Sequence, residues 1–308
     1  MCRGWGLRVR IWLLAGLLLG LVLPARAGLD VAVVVSQRGG AHAAFAQAFS
    51  RAAAGLGHRV LDAGTPAEGL DDVALARADL VVASGDAALS AALRLNPRPT
   101  LAAMIGQARF DALRMAHPDR PLSAFTLDQP AERQFRLLKA VLPDARRAGV
   151  LLGPERGDRV DLERAAAASG LDLFVRVIGD EAELIRGLEA VLRDSDSLIA
   201  VPDAMLSSPS AARSILLTSY RFQKPIVAFS RAYVDAGALA AIFTTPEQVA
   251  ADLIAWLRLQ KDESVQLPPP RGPASFDIAV NRQVARALGL SVADDAELLR
   301  LIATGDQP

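Results

Sequence analysis

Short aliphatic and β-branched runs alternate along this chain with longer stretches whose apolar side chains recur every three or four positions. Residues 31–35 (VAVVV) are apolar without a break, the pattern of a strand covered on both faces. Gly39 and Gly40 interrupt the chain, and Phe45, Phe49, Ala52 and Leu56 follow at helical spacing, with Gly55 and Gly57 closing the stretch. The same reading predicts strands at 59–62, 80–83 and 100–105, and helices near 71–78 and 86–95. After residue 130 the unit recurs: helix 131–142, strand 148–152, helix 159–169, strand 172–177, helix 181–192, strand 197–201, helix 210–222, strand 226–229. Strands and helices alternating through short loops predict parallel sheets flanked by helices. The pattern repeats, without a close repeat of sequence.

Two seams break the alternation. Strand-like 123–127 runs into Asp128, Gln129 and Pro130, with Pro130 placed to open a helix. After Phe229, strand-like 238–243 is followed by a helix from Pro246 with Val249, Leu253 and Trp256 on one face. Residues 267–273 form a connector whose Pro268, Pro269 and Pro270 mark a stiff extended segment, and 276–290 reads as a strand and a short helix.

The N-terminus changes the setting. Arg3, Arg8 and Arg10 precede an apolar run from Ile11 to Leu23, then Pro24 and Ala25-Arg26-Ala27. This is the pattern of a cleavable secretory signal peptide at 1–27, and the run is shorter than the roughly 20 residues of a membrane span. A periplasmic domain starting at Gly28 is expected.

Composition narrows the chemistry. Of 34 basic residues, Arg3, Arg8, Arg10 and Arg26 lie in the leader and no acid does, leaving 30 basic against 34 acidic side chains. Mild acidity gives no attraction for a phosphate backbone, so no nucleic-acid partner is expected. The sole cysteine is Cys2, so disulfides, thiol nucleophiles and thiolate metal sites are not expected. His42, His58 and His117 are the only histidines, and no two stand at helical ligand spacing. Neither metal nor cofactor is expected. The chain has no phosphate-binding loop, and Gly153–Gly157 lacks dinucleotide glycine spacing. Ser84-Gly85-Asp86 does not fit the nucleophile elbow. An enzyme is therefore not the expected reading.

Four blocks carry a resemblance. ILLTSYRFQKPIVAFSRAYVDAGALAAIFTTPEQ (215–248), LDQPAERQFRLLKAVLPDARRAGVLLGP (127–154), AVPDAM (200–205) and FDIAVNRQVARALGL (276–290) resemble the proteobacterial ABC-transporter substrate-binding family of the periplasmic type I class. The resemblance implies an α/β fold of two doubly wound parallel-sheet lobes joined by a three-strand hinge. Lobe 1 is expected at 28–126 plus 240–262 and lobe 2 at 127–239 plus 274–308. It also implies a small-molecule ligand taken to an inner-membrane ABC permease with its ATPase, or alternatively to a membrane sensor; for such a diffusing carrier a monomer is expected.

In open α/β sheets, ligands lie beyond the carboxyl ends of the strands. The strand ends nominate Ser36, Gln37, Ser84, Gly85, Asp86, Gly106, Gln107 and Asp128 on the first side, and Gly153, Asp203, Ser230 and Arg231 on the second. Capping and turn roles compete for Ser84, Asp86 and Asp203, and a surface ion pair competes for Arg231. Asp203→Ala is expected to weaken binding more than folding. Tyr220 and Tyr233 flank Ser230, as stacking groups or as core. Aromatic residues make up 5% of the chain, few of them in the first-side loops. Pyranose rings are held on aromatic faces, so a small polar, amino-acid-like ligand is expected.

Overall fold

The structure is a computed structural model describing residues 28–95, 97–154, 159–203, 205–206, 208–260 and 265–304; the expected signal peptide lies outside them. The first half comprises β1 (Asp30–Val35), α1 (Gly40–Gly55), β2 (Arg59–Asp62), β3 (Gly64–Thr65), β4 (Gly69–Leu70), α2 (Asp72–Arg77), β5 (Leu80–Ser84), α3 (Asp86–Leu95), β6 (Thr100–Ile105), α4 (Gln107–Ala116) and β7 (Leu122–Thr126). Five of its strands form a parallel sheet in the order β2-β1-β5-β6-β7. Every residue of β1 is buried, which explains its unbroken apolar run. Val31, Val33 and Val35 face Phe45 and Phe49, while Ala32 and Val34 face the opposite core with Leu75 and Leu89.

The second half comprises α5 (Ala131–Val141), β8 (Arg147–Leu152), α6 (Arg159–Ala168), β9 (Asp172–Val177), α7 (Leu184–Asp194), β10 (Ser197–Ile199), α8 (Pro209–Arg221), β11 (Ile226–Ala228), α9 (Arg231–Asp235) and β12 (Ala240–Phe243). The chain then makes α10 (Pro246–Leu257), β13 (Asp277–Val280), α11 (Arg282–Ala287) and α12 (Asp295–Ala303). The second sheet runs β13-β12-β11-β10-β8-β9, parallel except for β13. Omitting the β3–β4 hairpin and β13, both sheets wind in one order, with the second strand outermost, then the first, third, fourth and fifth. The doubly wound α/β reading holds.

One boundary needs correction. The expected first lobe included 240–262, but β12 pairs with β11 on one side and β13 on the other, inside the second sheet. Only the helix that follows returns: Val249, Leu253 and Trp256 of α10 pack with Phe45 and Phe49 of α1. A strand and the next helix thus go to different halves across Thr244 and Thr245. Thr245 starts α10 sharply, through a capping box with Gln248 and Pro246 in the first turn.

The proline-rich connector also has a partner. Thr126 N donates to Arg271 O at 2.9 Å and Arg271 N to Ala124 O at 3.0 Å. The connector therefore lies along β7 as a partial sixth strand, with Arg271 Cζ 4.3 Å from the Phe125 ring centroid. The chain passes between halves three times: at 127–130, at 244–245 and at 271–276. Among the described residues no helix is long and apolar enough to cross a membrane.

Candidate ligand-binding site

Parallel strands end on one edge, and the winding order reverses between β1 and β5 in the first sheet and between β8 and β10 in the second. Such a reversal opens a crevice, because the helices following the two strands leave on opposite faces. In the first sheet this point holds Ser36, Ser84 and Gly85. Ser36 N donates to Ser84 O at 3.0 Å, and Ser36 Oγ accepts from Ala88 N at 3.1 Å. The first turn of α3 is thus bonded across the edge by Ser36, and Ser84 uses its hydroxyl elsewhere, 3.0 Å from His42 Nδ1. Gly85 has φ +92, and a Cβ there would sit 2.5 Å from both Ser36 Oγ and His42 Cε1. Only glycine lets these three groups converge.

His42 escaped the sequence reading, which noted only that no other histidine stands at ligand spacing from it. Its position three residues into a helix that opens at Gly39-Gly40 was the available signal. Helix α1 begins without a side-chain cap and without an acid in its first turn. Its leading amides and dipole therefore favour a negative group at this edge. Gln37 is exposed beside it.

Burial holds the His42 imidazole below 6.5. The unfolded chain takes up a proton near 6.5 that the folded chain resists, so stability falls as pH drops below that value. His42→Gln, which keeps an amide beside Ser84 Oγ, is expected to lose less stability on acidification. Urea midpoints of both forms at about pH 7 and about pH 5 give the comparison. His58, held low by burial as well, acts equally in both.

Further along the edge, Gly106 opens α4, and Asp128 Oδ2 accepts from Gln107 N at 2.6 Å. The Gln107 side chain accepts from Thr126 Oγ1 at 3.2 Å and donates to Asp111 Oδ2 at 2.7 Å. Asp86 lies in the first turn of α3 and pairs with Arg109 at 2.8 Å, both half exposed. The first-side nominees therefore form a row: Ser36, Ser84 and Gly85 at the reversal, and Gly106, Gln107 and Asp128 toward the crossover.

The second side brings Gly153 and Asp203 together. Asp203 is buried, and Gly153 N donates to its Oδ2 at 2.8 Å. Its Oδ1 accepts from Met205 N at 2.9 Å and Leu206 N at 3.3 Å. These bonds give Asp203 a structural task beside the expected one in binding: its carboxylate fastens the loop after β10 to the end of β8. Ser230 starts α9, accepting from Tyr233 N at 3.4 Å. Arg231 lies 5.2 Å over the Phe243 ring, a cation–π contact. Tyr233 is buried and lines a cavity of 10 Å³ with Leu198, Leu206 and Ile215, room for about one water. Tyr220 is 82% exposed on α8. Tyr233 is thus core and Tyr220 surface.

Residues 125–300 match the family model described as ABC transporter substrate binding protein. The chain belongs to this family. No curated protein matches the sequence significantly. Solved structures of similar fold include a domain from Streptococcus pneumonia in complex with L-Trp, at 15% identity and TM-score 0.58, covering 88% of this chain and 98% of that one. A ligand-free, open substrate-binding protein with adhesive properties from Clostridium difficile aligns at 18% identity and TM-score 0.64, over 86% and 96% of the two chains. A conserved domain protein from Vibrio cholerae aligns at 18% and 0.61, over 88% and 97%. The fold is shared along 86–88% of this chain and nearly the whole of each of those.

Proposed function

We propose that this substrate-binding protein captures a small polar, amino-acid-like solute outside the inner membrane and delivers it to an ABC permease with its ATPase. The observation that carries the reading is the matched pair of winding reversals, each lined with polar groups, in a chain of a family named for binding transporter substrates. The uncapped start of α1 suits a carboxylate. Ser36, Ser84, His42 and Gln107 offer hydrogen-bonding atoms for polar substituents. Closing the two edges on a solute removes it from water and strengthens those bonds. The basic start, apolar run and small-residue site of residues 1–27 fit export to the periplasm. The reading needs no chemistry from the protein beyond binding and release.

The test is a thermal-shift screen of the twenty amino acids and a panel of monosaccharides, followed by calorimetry. A solute that binds only the folded state raises the melting temperature by mass action. Stabilisation by one or more amino acids, recovered unchanged after incubation, is the expected result. Stabilisation by sugars alone would refute the amino-acid reading, and chemical conversion of the bound compound would refute pure binding.

A further inference from the structure

The three passages between halves are tied to one another by buried polar side chains. Gln129, on the first passage, donates through Nε2 to Thr244 Oγ1 on the second at 2.6 Å. The same Thr244 hydroxyl donates to Ser275 O on the third at 2.9 Å. Gln129 Oε1 accepts from Arg133 Nη1 at 3.0 Å, and that nitrogen also donates to Pro273 O at 3.1 Å. The Arg133 guanidinium lies 4.6 Å from the Phe276 ring centroid. Gln248, in the first turn of α10, donates to Phe276 O at 3.4 Å. Gln129, Arg133 and Thr244 are all buried.

Burying three such side chains is costly unless their bonds are made with good geometry. One half rotates on the other only by changing backbone dihedrals in these passages. Bonds that run from passage to passage fix those dihedrals together, so the passages turn as a unit or lose the bonds. We infer that Gln129, Thr244 and Arg133 form a brace that sets the angle between the halves and so adjusts solute affinity without touching solute. Thr244 is its centre, because one hydroxyl both accepts and donates. This rests on the solute-capture reading for its consequence, while the brace itself is testable without any solute.

The chain's sole cysteine is Cys2, so a Cys2→Ser background accepts two labels. Met115 on α4 and Leu217 on α8 are 75% and 59% exposed, and Met115→Cys with Leu217→Cys places one spin label on each half. Pulsed dipolar spectroscopy then reads the distance distribution between halves. Without solute, Thr244→Val removes both bonds and is expected to shift the population ratio of interlobe distances about twentyfold, a factor of about five for each. Thr244→Ser, which keeps the hydroxyl, is expected to match the wild type. Gln129→Met serves as a second breaking variant if Thr244→Val does not fold. A wild-type distribution in the breaking variant, or the same shift in Thr244→Ser, overturns the brace. The solute-capture reading fails separately, if no amino acid or sugar moves the wild-type distances.

Discussion

Asp203→Ala is expected to lower the free energy of unfolding by about 3 kcal/mol or more, the range for stripping a buried carboxylate from several amides. The carboxylate accepts from Gly153, Met205 and Leu206. Its loss leaves those donors without this acceptor at the point where β8 and β10 diverge. Water that enters to replace it repays part of the loss. Asp86→Ala is the control: its pairing with Arg109 joins two half-exposed groups, and such pairs are worth about 0–1 kcal/mol. Urea unfolding of both variants measures the difference, and solute titration of the folded Asp203→Ala protein separates stability from affinity. Full stability with abolished binding would return Asp203 to a role in holding solute.

Gly85→Ala is the second large effect. At φ +92 an L-residue costs about 1–2 kcal/mol. The added methyl would also stand 2.5 Å from Ser36 Oγ and His42 Cε1, and relieving such overlap costs about 1–3 kcal/mol. One of those side chains must turn away. Loss of Ser36 frees an amide of α3, and loss of His42 strips Ser84. The expected outcome is a stability loss of about 2–5 kcal/mol with solute affinity reduced about tenfold. Gly55→Ala, at the far end of α1, where the new methyl meets nothing within 4 Å, is expected to leave solute affinity unchanged and stability no lower. Calorimetry and chemical denaturation of the pair decide it; equal behaviour would show that the edge tolerates crowding and that His42 and Ser36 need not converge.

The strands were legible because both faces are covered: β1, β5 and β6 are almost wholly buried, so their apolar runs have no polar alternation to blur them. The placement of Ala240–Phe243 was not legible. Two threonines carry the chain from one half to the other there, without a glycine, a charge run or a linker to mark it. The two-residue strands β3 and β4 were too short to leave a period. At the edge, strand ends located Ser36, Ser84, Gly106 and Asp128, because the carboxyl-end rule depends on topology alone. It could not place partners distant in sequence. His42 meets Ser84 across 42 positions and Gln129 meets Thr244 across 115, and no spacing rule spans such gaps. Asp203 sat where expected, with its oxygens turned to backbone amides.

The connector along β7 has a consequence for how copies of this protein meet. A bare flank of sheet is a template for another chain, since its row of amides and carbonyls invites pairing. Here the flank is occupied, and the strip occupying it contains Pro268, Pro269 and Pro270, residues that have no amide hydrogen to offer. A second molecule approaching from that side finds an interrupted ladder. The strip thus blunts a flank on which another chain could pair, while it carries the chain back to the second half.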